Sequence, residues 1–268
     1  MQWKRLVVAA VVLPLLYLYI TRLSPLFFLI LLSLGAVVAQ AEFYAMYKVK
    51  RNILFTGLFC GLLVLAGVPL YGLYAPGLML PYVYPAVLMF SFMLITVMRL
   101  FWVKDPAASL ADIAPVIAGL LYIPLLLLPQ WQLRMEGPEW ILYLYGCVWA
   151  ADSVALYVGK GMGRRKLYKE VSPNKTVEGA FGSVIGGALS SVLLGALLLK
   201  GPSAPVLLLM GGVIGAVTIV GDLVESMFKR DAGVKDSGTL FPGHGGVLDK
   251  IDGVLFAGPV LLLMKLGL

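Results

Sequence analysis

Charged residues are scarce in this chain: Asp, Glu, Lys and Arg make up only 13% of its 268 residues. A soluble domain carries about a quarter of such residues, so the composition argues against a soluble protein. Hydrophobic residues account for 60% of the sequence and recur in long continuous runs. Continuous runs, unlike alternating ones, are typical of transmembrane helices rather than of a β-barrel. We therefore predict an all-α, polytopic integral membrane protein.

Several familiar features are missing as well. The two cysteines, Cys60 and Cys147, both lie inside predicted spans, so we expect no structural disulfide. The sequence contains neither a P-loop nor a GxGxxG motif. No internal repeat is visible, which argues against a transporter built from duplicated halves. The net charge of +7 is spread along loops that flank the membrane, so we expect no binding of nucleic acid.

Nine apolar segments can be marked, and most reach the roughly 20 residues that a helix needs to cross a bilayer. An amino terminus in the cytoplasm would put all but four of the 21 Lys and Arg residues on the cytoplasmic side. The positive-inside rule therefore predicts that orientation. The predicted segments are residues 6–22, 25–45, 53–74, 78–102, 109–128, 139–158, 179–199, 204–228 and 253–267.

The polar residues divide the chain by character. Residues 1–104 are predicted to be N-terminal transmembrane helices, residues 105–138 a connecting helix and loop, and residues 139–268 a catalytic transmembrane region with cytoplasmic polar loops. Within the last part, a polar segment from Ser226 to Asp252 carries both charge signs, several glycines and the only histidine. Carboxylates beside Lys and Arg, set among glycines, suit a site that holds phosphates through a metal ion.

Acidic residues inside apolar spans need a partner or a task, because each costs at least about 2.5 kcal/mol at the centre of a membrane helix. Four such residues are Asp112, Asp152, Asp222 and Glu225. One helical face carries polar residues at i, i+3, i+4 and i+7: Asp222, Glu225, Ser226 and Lys229. Glu225 and Lys229 suit a salt bridge at a helix end. Asp222 lies nearly two turns deeper, and we predict a functional role for it.

Asp249 and Asp252 are three residues apart and face the same way in the first turn of the last span. Either one alone would suit the helix dipole. Two of them beside Lys250, opposite Asp222, predict a metal cradle. Mg²⁺ takes one or two protein carboxylates and completes its shell with water and phosphate. We expect Asp222, Asp249 and Asp252 to bind Mg²⁺ together, with room for a second cation of open identity.

Two further elements extend the candidate site. The segment Ser172–Gly179 precedes a span, and its exposed amides, with Lys175, could receive a phosphate. An ordinary helix start is the alternative interpretation. His244 lies between two glycines and is expected to hydrogen-bond or to orient a phosphate. A phosphate monoester with a second pKa of about 6 is mostly ionised at neutral pH, so it needs no base.

Glycines four residues apart occur in three predicted spans. Such pairs allow helices to approach closely, although chance spacing is an equal explanation in a chain with 30 glycines. The two later pairs predict that the seventh and eighth spans pack tightly around the site. The pairs are Gly57/Gly61, Gly182/Gly186 and Gly211/Gly215.

The segment Ser226–Asp252 closely resembles the signature of the phosphatidate cytidylyltransferases, also called CDP-diacylglycerol synthases. That signature runs S-x-hydrophobic-K-R, four residues, K-D-x-G, then P-x-H-G-G and D-x-hydrophobic-D, and every element is present with its spacing. One departure is Lys250, where the family usually has Arg; lysine keeps the charge but loses the bidentate fork. Asp152–Ser153 with the Gly159–Arg165 loop also resembles the family, as does Ser172–Gly179.

The resemblance implies transfer of a cytidylyl group from CTP to phosphatidic acid, giving CDP-diacylglycerol and pyrophosphate, with Mg²⁺ required. It also implies a helical homodimer surrounded by membrane lipids in a bacterial-type cytoplasmic membrane, with its active site on the cytoplasmic side. The candidate catalytic residues are Asp222, Asp249, Lys229, Arg230 and His244. The candidate substrate-binding residues are Lys175, Asp152, Ser226, Lys235, Asp236 and Lys250, and the candidate metal ligands are Asp222, Asp249 and Asp252.

Other functions stay open. A related CTP-using lipid enzyme, such as a polyprenol kinase or a CDP-archaeol synthase, would share much of this chemistry. An ion or solute transporter that uses the intramembrane acids would leave the polar segment unexplained. A CDP-alcohol phosphotransferase is disfavoured, because Asp249–Gly253 supplies a D-x-x-D-G but no downstream D-x-x-x-D follows.

Overall fold

The computed structural model describes residues 14–74, 80–240 and 245–267. Residues 14–22 form helix α1. The other elements are α2 (Pro25–Met46), α3 (Arg51–Leu62), α4 (Val68–Tyr74), α5 (Leu80–Trp102), α6 (Ser109–Leu120), α7 (Leu126–Glu136), α8 (Pro138–Met162), β1 (Lys166–Tyr168), β2 (Ser172–Thr176), α9 (Val177–Leu198), α10 (Ala204–Asp231) and α11 (Leu248–Leu266).

Seven helices in the described ranges are long and apolar enough to cross a membrane. Two of them are composite: π-helical turns at Leu63–Gly67 and Leu121–Leu125 join α3 to α4 and α6 to α7. The second turn contains Pro124, which has no N–H for the helical hydrogen-bond ladder and so favours a local irregularity. The predicted class, an all-α polytopic membrane protein, is confirmed.

The predicted count of nine spans and the orientation of the amino terminus stay predictions. The first predicted span begins outside the described residues. The last corresponds to α11, which has 19 residues and carries the charged pair Asp249–Lys250 in its first turn. A short antiparallel hairpin between α8 and α9 was not predicted. Its strands, β1 and β2, pair the backbone polar groups of a stretch too polar to continue either helix.

Side-chain contacts show which helix ends lie at the same end of the bundle. At one end, the Tyr47 hydroxyl after α2 donates to Asp231 Oδ2 at the end of α10, at 2.9 Å. At the other end, Lys265 Nζ of α11 lies 3.0 Å from Glu136 Oε2 of α7. The first end also holds the hairpin, the start of α9 and the start of α11. The predicted polar segments of the second half of the chain therefore meet at one end of the bundle.

Asp112, one of the acids expected to need a partner, forms ion pairs at the same end of the bundle as Tyr47. Its Oδ2 lies 2.8 Å from Lys50 Nζ and 3.0 Å from Arg99 Nη2. The same guanidinium donates to the carbonyl oxygens of Val103, Asp105 and Ala107, so it also closes the loop after α5. This ion triad ties α3, α5 and α6 together away from the candidate site.

Helix α9 packs through small residues on two different faces. A Cβ added at Gly186 would lie 2.7 Å from Val154 Cβ, so this face touches α8. On the other face, a Cβ added at Gly211 of α10 would overlap the Gly187 carbonyl oxygen. Ser183 Oγ also donates to Gly215 O at 2.9 Å across the same contact. The predicted close packing of these two spans is confirmed, although the Gly182/Gly186 pair faces α8 instead of α10.

Two adjacent glycines of α10 allow a direct test of this contact. Gly211→Ala should lower the thermal unfolding midpoint, because the new methyl group would overlap Gly187 O and Ser191 Cβ. Overpacking of this kind costs about 1–3 kcal/mol. Gly212→Ala is the matched control, since its Cβ would have only Val184 Cγ1 nearby, at 3.8 Å. Thermal unfolding of both variants in one detergent measures the difference; equal midpoints would contradict the tight α9–α10 contact.

Candidate functional site

The β1–β2 hairpin is fastened to the start of α9. Thr176 caps this helix, with its Oγ1 accepting a hydrogen bond from Gly179 N at 3.1 Å. Glu178, in the first turn, accepts from Arg164 N at 3.0 Å and so binds the chain that leads into the hairpin. Serine, threonine and acidic residues stabilise helix starts in this way. The local sequence therefore fixes Lys175, the residue just before the cap.

A cavity of about 730 Å³ lies between α8, the hairpin, α9 and α10. Its polar lining includes Asp152 of α8, Lys175 of β2 and Asp222 of α10. Lys175 Nζ lies 2.5 Å from Asp222 Oδ2, although the two residues come from different elements. Three of the predicted site residues thus line one cavity. Apolar side chains, among them Leu156 and Ile219, line the rest of it.

Three carboxylates converge beside this cavity, those of Asp222, Glu225 and Asp252. One oxygen from each lies within 4.8 Å of the others. Gly221 allows the approach, because a Cβ there would be 2.6 Å from the Asp252 carbonyl oxygen of α11. Ser226 Oγ adds a contact of 3.3 Å to Asp222 Oδ1. The arrangement concentrates negative charge at the level of Asp222.

Lys229 and Asp249 form a second cluster closer to the helix ends. Lys229 Nζ lies 2.5 Å from Glu225 Oε2 and 2.7 Å from Asp249 Oδ1, so it joins the two carboxylates. The predicted Glu225–Lys229 salt bridge is confirmed. Asp249 Oδ2 accepts hydrogen bonds from Gly246 N at 2.7 Å and Ser237 N at 3.0 Å. One ammonium group and two backbone amides thus compensate the Asp249 carboxylate.

The structure places Asp249 beside Lys229, next to the group formed by Asp222, Glu225 and Asp252. Helices α10 and α11 run antiparallel, so Asp252 lies level with Asp222, and Asp249 lies level with Lys229. Seven residues separate Asp222 from Lys229 along α10, which is about 10 Å of helix. Glu225 takes the third place near Asp222 instead. The role of Asp249 as a metal ligand stays a prediction.

The remaining predicted residues lie around these clusters. Arg230 contacts backbone carbonyl groups: its Nη1 donates to Val234 O at 2.9 Å and its Nε to Val171 O at 3.3 Å. It therefore ties the end of α10 to the hairpin. His244 lies outside the described residues. Three other predicted residues have exposed side chains, and these are Lys235, Asp236 and Lys250.

Two acidic residues of this region were not among the predicted site residues. Glu225 was assigned only to its salt bridge, yet its Oε1 is buried and has no hydrogen-bond partner in the described residues. Glu42 of α2 contacts the loop that precedes α11 through Val247 N and Leu248 N, each at 3.0 Å. The available signal was the position of Glu42, an acid inside the predicted span 25–45.

The donor set fits a divalent cation of the Mg²⁺ type. Mg²⁺ prefers oxygen ligands and keeps part of its shell for water and phosphate. Asp222, Glu225 and Asp252 supply three carboxylates beside an open cavity, and the buried Glu225 Oε1 has an unused lone pair. In the absence of a cation, three close carboxylates repel one another, which is a typical cost of a site built for a cation.

The fold and the site define an integral membrane protein with a cluster of carboxylates and lysines at one end of a helical bundle. Residues 3–266 match the Cytidylyltransferase family, and the chain belongs to that family.

The chain is also similar to curated proteins that bear one shared name, phosphatidate cytidylyltransferase. It is 50% identical to the protein from Synechocystis sp. over 118 residues, which cover 44% of this chain and 40% of that protein. It is 37% identical to the protein from Haemophilus influenzae over 179 residues, 59% of this chain and 57% of that protein. The Staphylococcus aureus (strain COL) protein is 39% identical over 164 residues, 60% of this chain and 59% of that protein. The chain thus spans roughly half the length of these relatives.

Proposed function

We propose that the protein transfers a cytidylyl group from CTP to phosphatidic acid, forming CDP-diacylglycerol and pyrophosphate for phospholipid biosynthesis. One observation carries the proposal: Lys175 meets Asp222 in a cavity where the carboxylates of Glu225 and Asp252 also converge on Asp222, in a chain of the Cytidylyltransferase family. The shared name of the three relatives supports this choice of nucleotide and lipid.

The reaction would proceed by in-line attack of a lipid phosphate oxygen on the α-phosphorus of CTP. The new P–O bond forms as the bond between the α-phosphorus and the bridging oxygen breaks, and pyrophosphate leaves with the electron pair. A phosphate monoester is largely ionised at neutral pH, so no base is needed. Mg²⁺, when bound by Asp222, Glu225 and Asp252, would neutralise charge on the phosphate oxygens.

Lys175 lies where it can bind a phosphate group of CTP or of the lipid. Its side chain lines the cavity and is only 22% exposed, and its ammonium group forms an ion pair with Asp222. With Asp222, Glu225 and Asp252 as the residues that would hold a cation, Lys175 is the residue of this cavity that would bind a phosphate oxygen. Two polyanions must come together in this reaction, so a cation contributed by the chain lowers their repulsion.

The cavity suits a meeting of a soluble nucleotide with a lipid. Its polar lining comes mainly from the hairpin together with Asp152 and Asp222, and much of the rest of its lining from apolar residues of α8, α9 and α10. The distribution of Lys and Arg supports a cytoplasmic location for this end, where CTP is available. A homodimer in a bacterial-type cytoplasmic membrane, as the resemblance implies, completes the proposal.

Doubly labelled CTP tests the proposal directly. Purified protein with phosphatidic acid and Mg²⁺ should move a cytosine label, and no γ-phosphate label, into the lipid fraction on thin-layer chromatography. Chelation of divalent ions should abolish the product, and added Mg²⁺ should restore it. Transfer of the γ-phosphate alone would show a lipid kinase. Absence of either label from the lipid, together with nucleotide-independent solute flux in liposomes, would show a transporter.

A further inference from the structure

Glu42 lies near the end of α2, outside the signature segment Ser226–Asp252 and outside the lining of the 730 Å³ cavity. Its carboxylate nevertheless contacts both sides of the loop between α10 and α11. Oε1 accepts a hydrogen bond from Val247 N at 3.0 Å, and Oε2 accepts one from Leu248 N at 3.0 Å. Ser237 Oγ lies 3.2 Å from the same Oε2.

These contacts supply what the start of α11 lacks. The first N–H groups of a helix have no partner within the helix and carry partial positive charge. Val247 occupies the N-cap position, and no side chain of the helix's own sequence caps it. Glu42 satisfies two of these donors from a helix 205 residues earlier in the sequence. Its negative charge suits the partial positive charge of the helix start, and each of its two oxygens accepts a hydrogen bond from one amide.

Two glycines of the loop make room for this carboxylate. A Cβ added at Gly238 would lie 2.6 Å from Glu42 Oε1. A Cβ added at Gly246 would overlap Glu42 Oε2. Real side chains do not tolerate contacts this close, so any larger residue at either position would displace Glu42. The absence of a side chain at Gly238 and Gly246 thus leaves the space that the Glu42 carboxylate occupies.

The same loop holds Asp249. Ser237 Oγ is 2.8 Å from Asp249 Oδ2, while it also lies against Glu42. Gly246 N donates to the same Asp249 oxygen at 2.7 Å. Glu42, Ser237 and Asp249 therefore form one network, and Asp252 follows one turn later on the helix that Glu42 fixes.

We propose that Glu42 is a positioning residue of the site, which fixes the start of α11 and so places Asp249 and Asp252. The proposal rests on the proposed function, because it assigns Glu42 a part in cytidylyl transfer. Glu42, Ser237 and Asp249 do not line the 730 Å³ cavity in the described part of the chain. Glu42 therefore acts through the residues that it holds.

Steady-state kinetics test this role. Glu42→Gln should lower kcat about tenfold or more, as loss of a partner that orients a ligand typically does, and leave KM for CTP and for phosphatidic acid unchanged. Glu42→Asp keeps the charge on a shorter side chain, so its kcat should lie between those of the wild type and Glu42→Gln. The control is Glu136→Gln, which removes a glutamate from the opposite end of the bundle, where its partner is Lys265. A kcat equal to that of the control, or a change in KM alone, would overturn the proposal.

Hydrogen exchange of the substrate-free protein provides a readout that is independent of catalysis. In Glu42→Gln, amides in a peptide covering residues 245–250 should exchange about tenfold faster or more, because hydrogen bonds to a charged acceptor are lost. Peptides of α9 should be unchanged. Equal exchange in the wild type and the variant would overturn the proposal. If the wild type shows this protection but forms no cytidylyl lipid, the proposed function fails while the contact of Glu42 with α11 stands.

Discussion

Asp222→Asn should reduce kcat for CDP-diacylglycerol formation by at least about a hundredfold, because loss of an outer partner of a metal ligand alone costs 10- to 100-fold. Asp222 is the residue at which the two halves of the site meet. Its Oδ2 pairs with Lys175 at 2.5 Å, and it belongs to the group of three carboxylates with Glu225 and Asp252. An amide at this position would neither bind a cation strongly nor neutralise Lys175.

The same substitution should not destabilise the metal-free protein. Asn removes one of three mutually repelling carboxylates and also the partly exposed ion pair with Lys175, and these two effects oppose each other, so the thermal midpoint without divalent ions should change little. Asp231→Asn is the matched control: it lies on the same helix, and its carboxylate accepts a hydrogen bond from the Tyr47 hydroxyl, away from the cavity. Initial rates and thermal unfolding midpoints of Asp222→Asn and Asp231→Asn test both expectations. Similar rates for the two would remove Asp222 from the site.

The helical architecture was predictable because bilayer spans are encoded locally, in continuous apolar runs. The predicted span 179–199 corresponds to α9, Val177–Leu198, and the predicted span 204–228 to α10, Ala204–Asp231. The hairpin was not predictable in this way. Its strands have only three and five residues, and their pairing depends on how α9 begins. Such short polar strands carry too little periodic pattern to be recognised.

The site was predicted as a set of residues and less well as a geometry. Lys175 and Asp222 were both candidates, but their contact links a strand to a helix and has no local signal. The position of Asp249 depends on the register between α10 and α11, which the loop between them sets. A rule based on spacing along one helix could not choose between Asp249 and Asp252 as the neighbour of Asp222.

Glu42 shows a further limit of reading motifs. An acid in an otherwise apolar span signals that a partner exists, because its charge must be compensated. Two of the partners of Glu42 are backbone amides, and every residue except proline carries one. Nothing in the sequence of residues 237–248 distinguishes the amides of Val247 and Leu248 from the others. Only the packing of α2 beside α11 identifies them.

Lys229→Met should lower the free energy of unfolding by about 3–5 kcal/mol, the usual cost of leaving buried charges without a partner. Lys229 compensates two carboxylates at once, those of Glu225 and Asp249. The exposed fractions of the three side chains are 11%, 1% and 11%, so solvent offers little substitute. Lys229 thus stabilises the fold through these two ion pairs, whether or not it also contacts a phosphate.

A second substitution separates charge from packing. Glu225→Gln in the Lys229→Met background should recover part of the lost stability, because it removes one of the two unpaired charges. Lys265→Met is the control: its partner, Glu136, is 56% exposed, and exposed ion pairs contribute only about 0–1 kcal/mol. Unfolding of the three variants in one detergent gives the comparison. If Lys229→Met is as stable as Lys265→Met, the carboxylates of Glu225 and Asp249 must have another source of compensation.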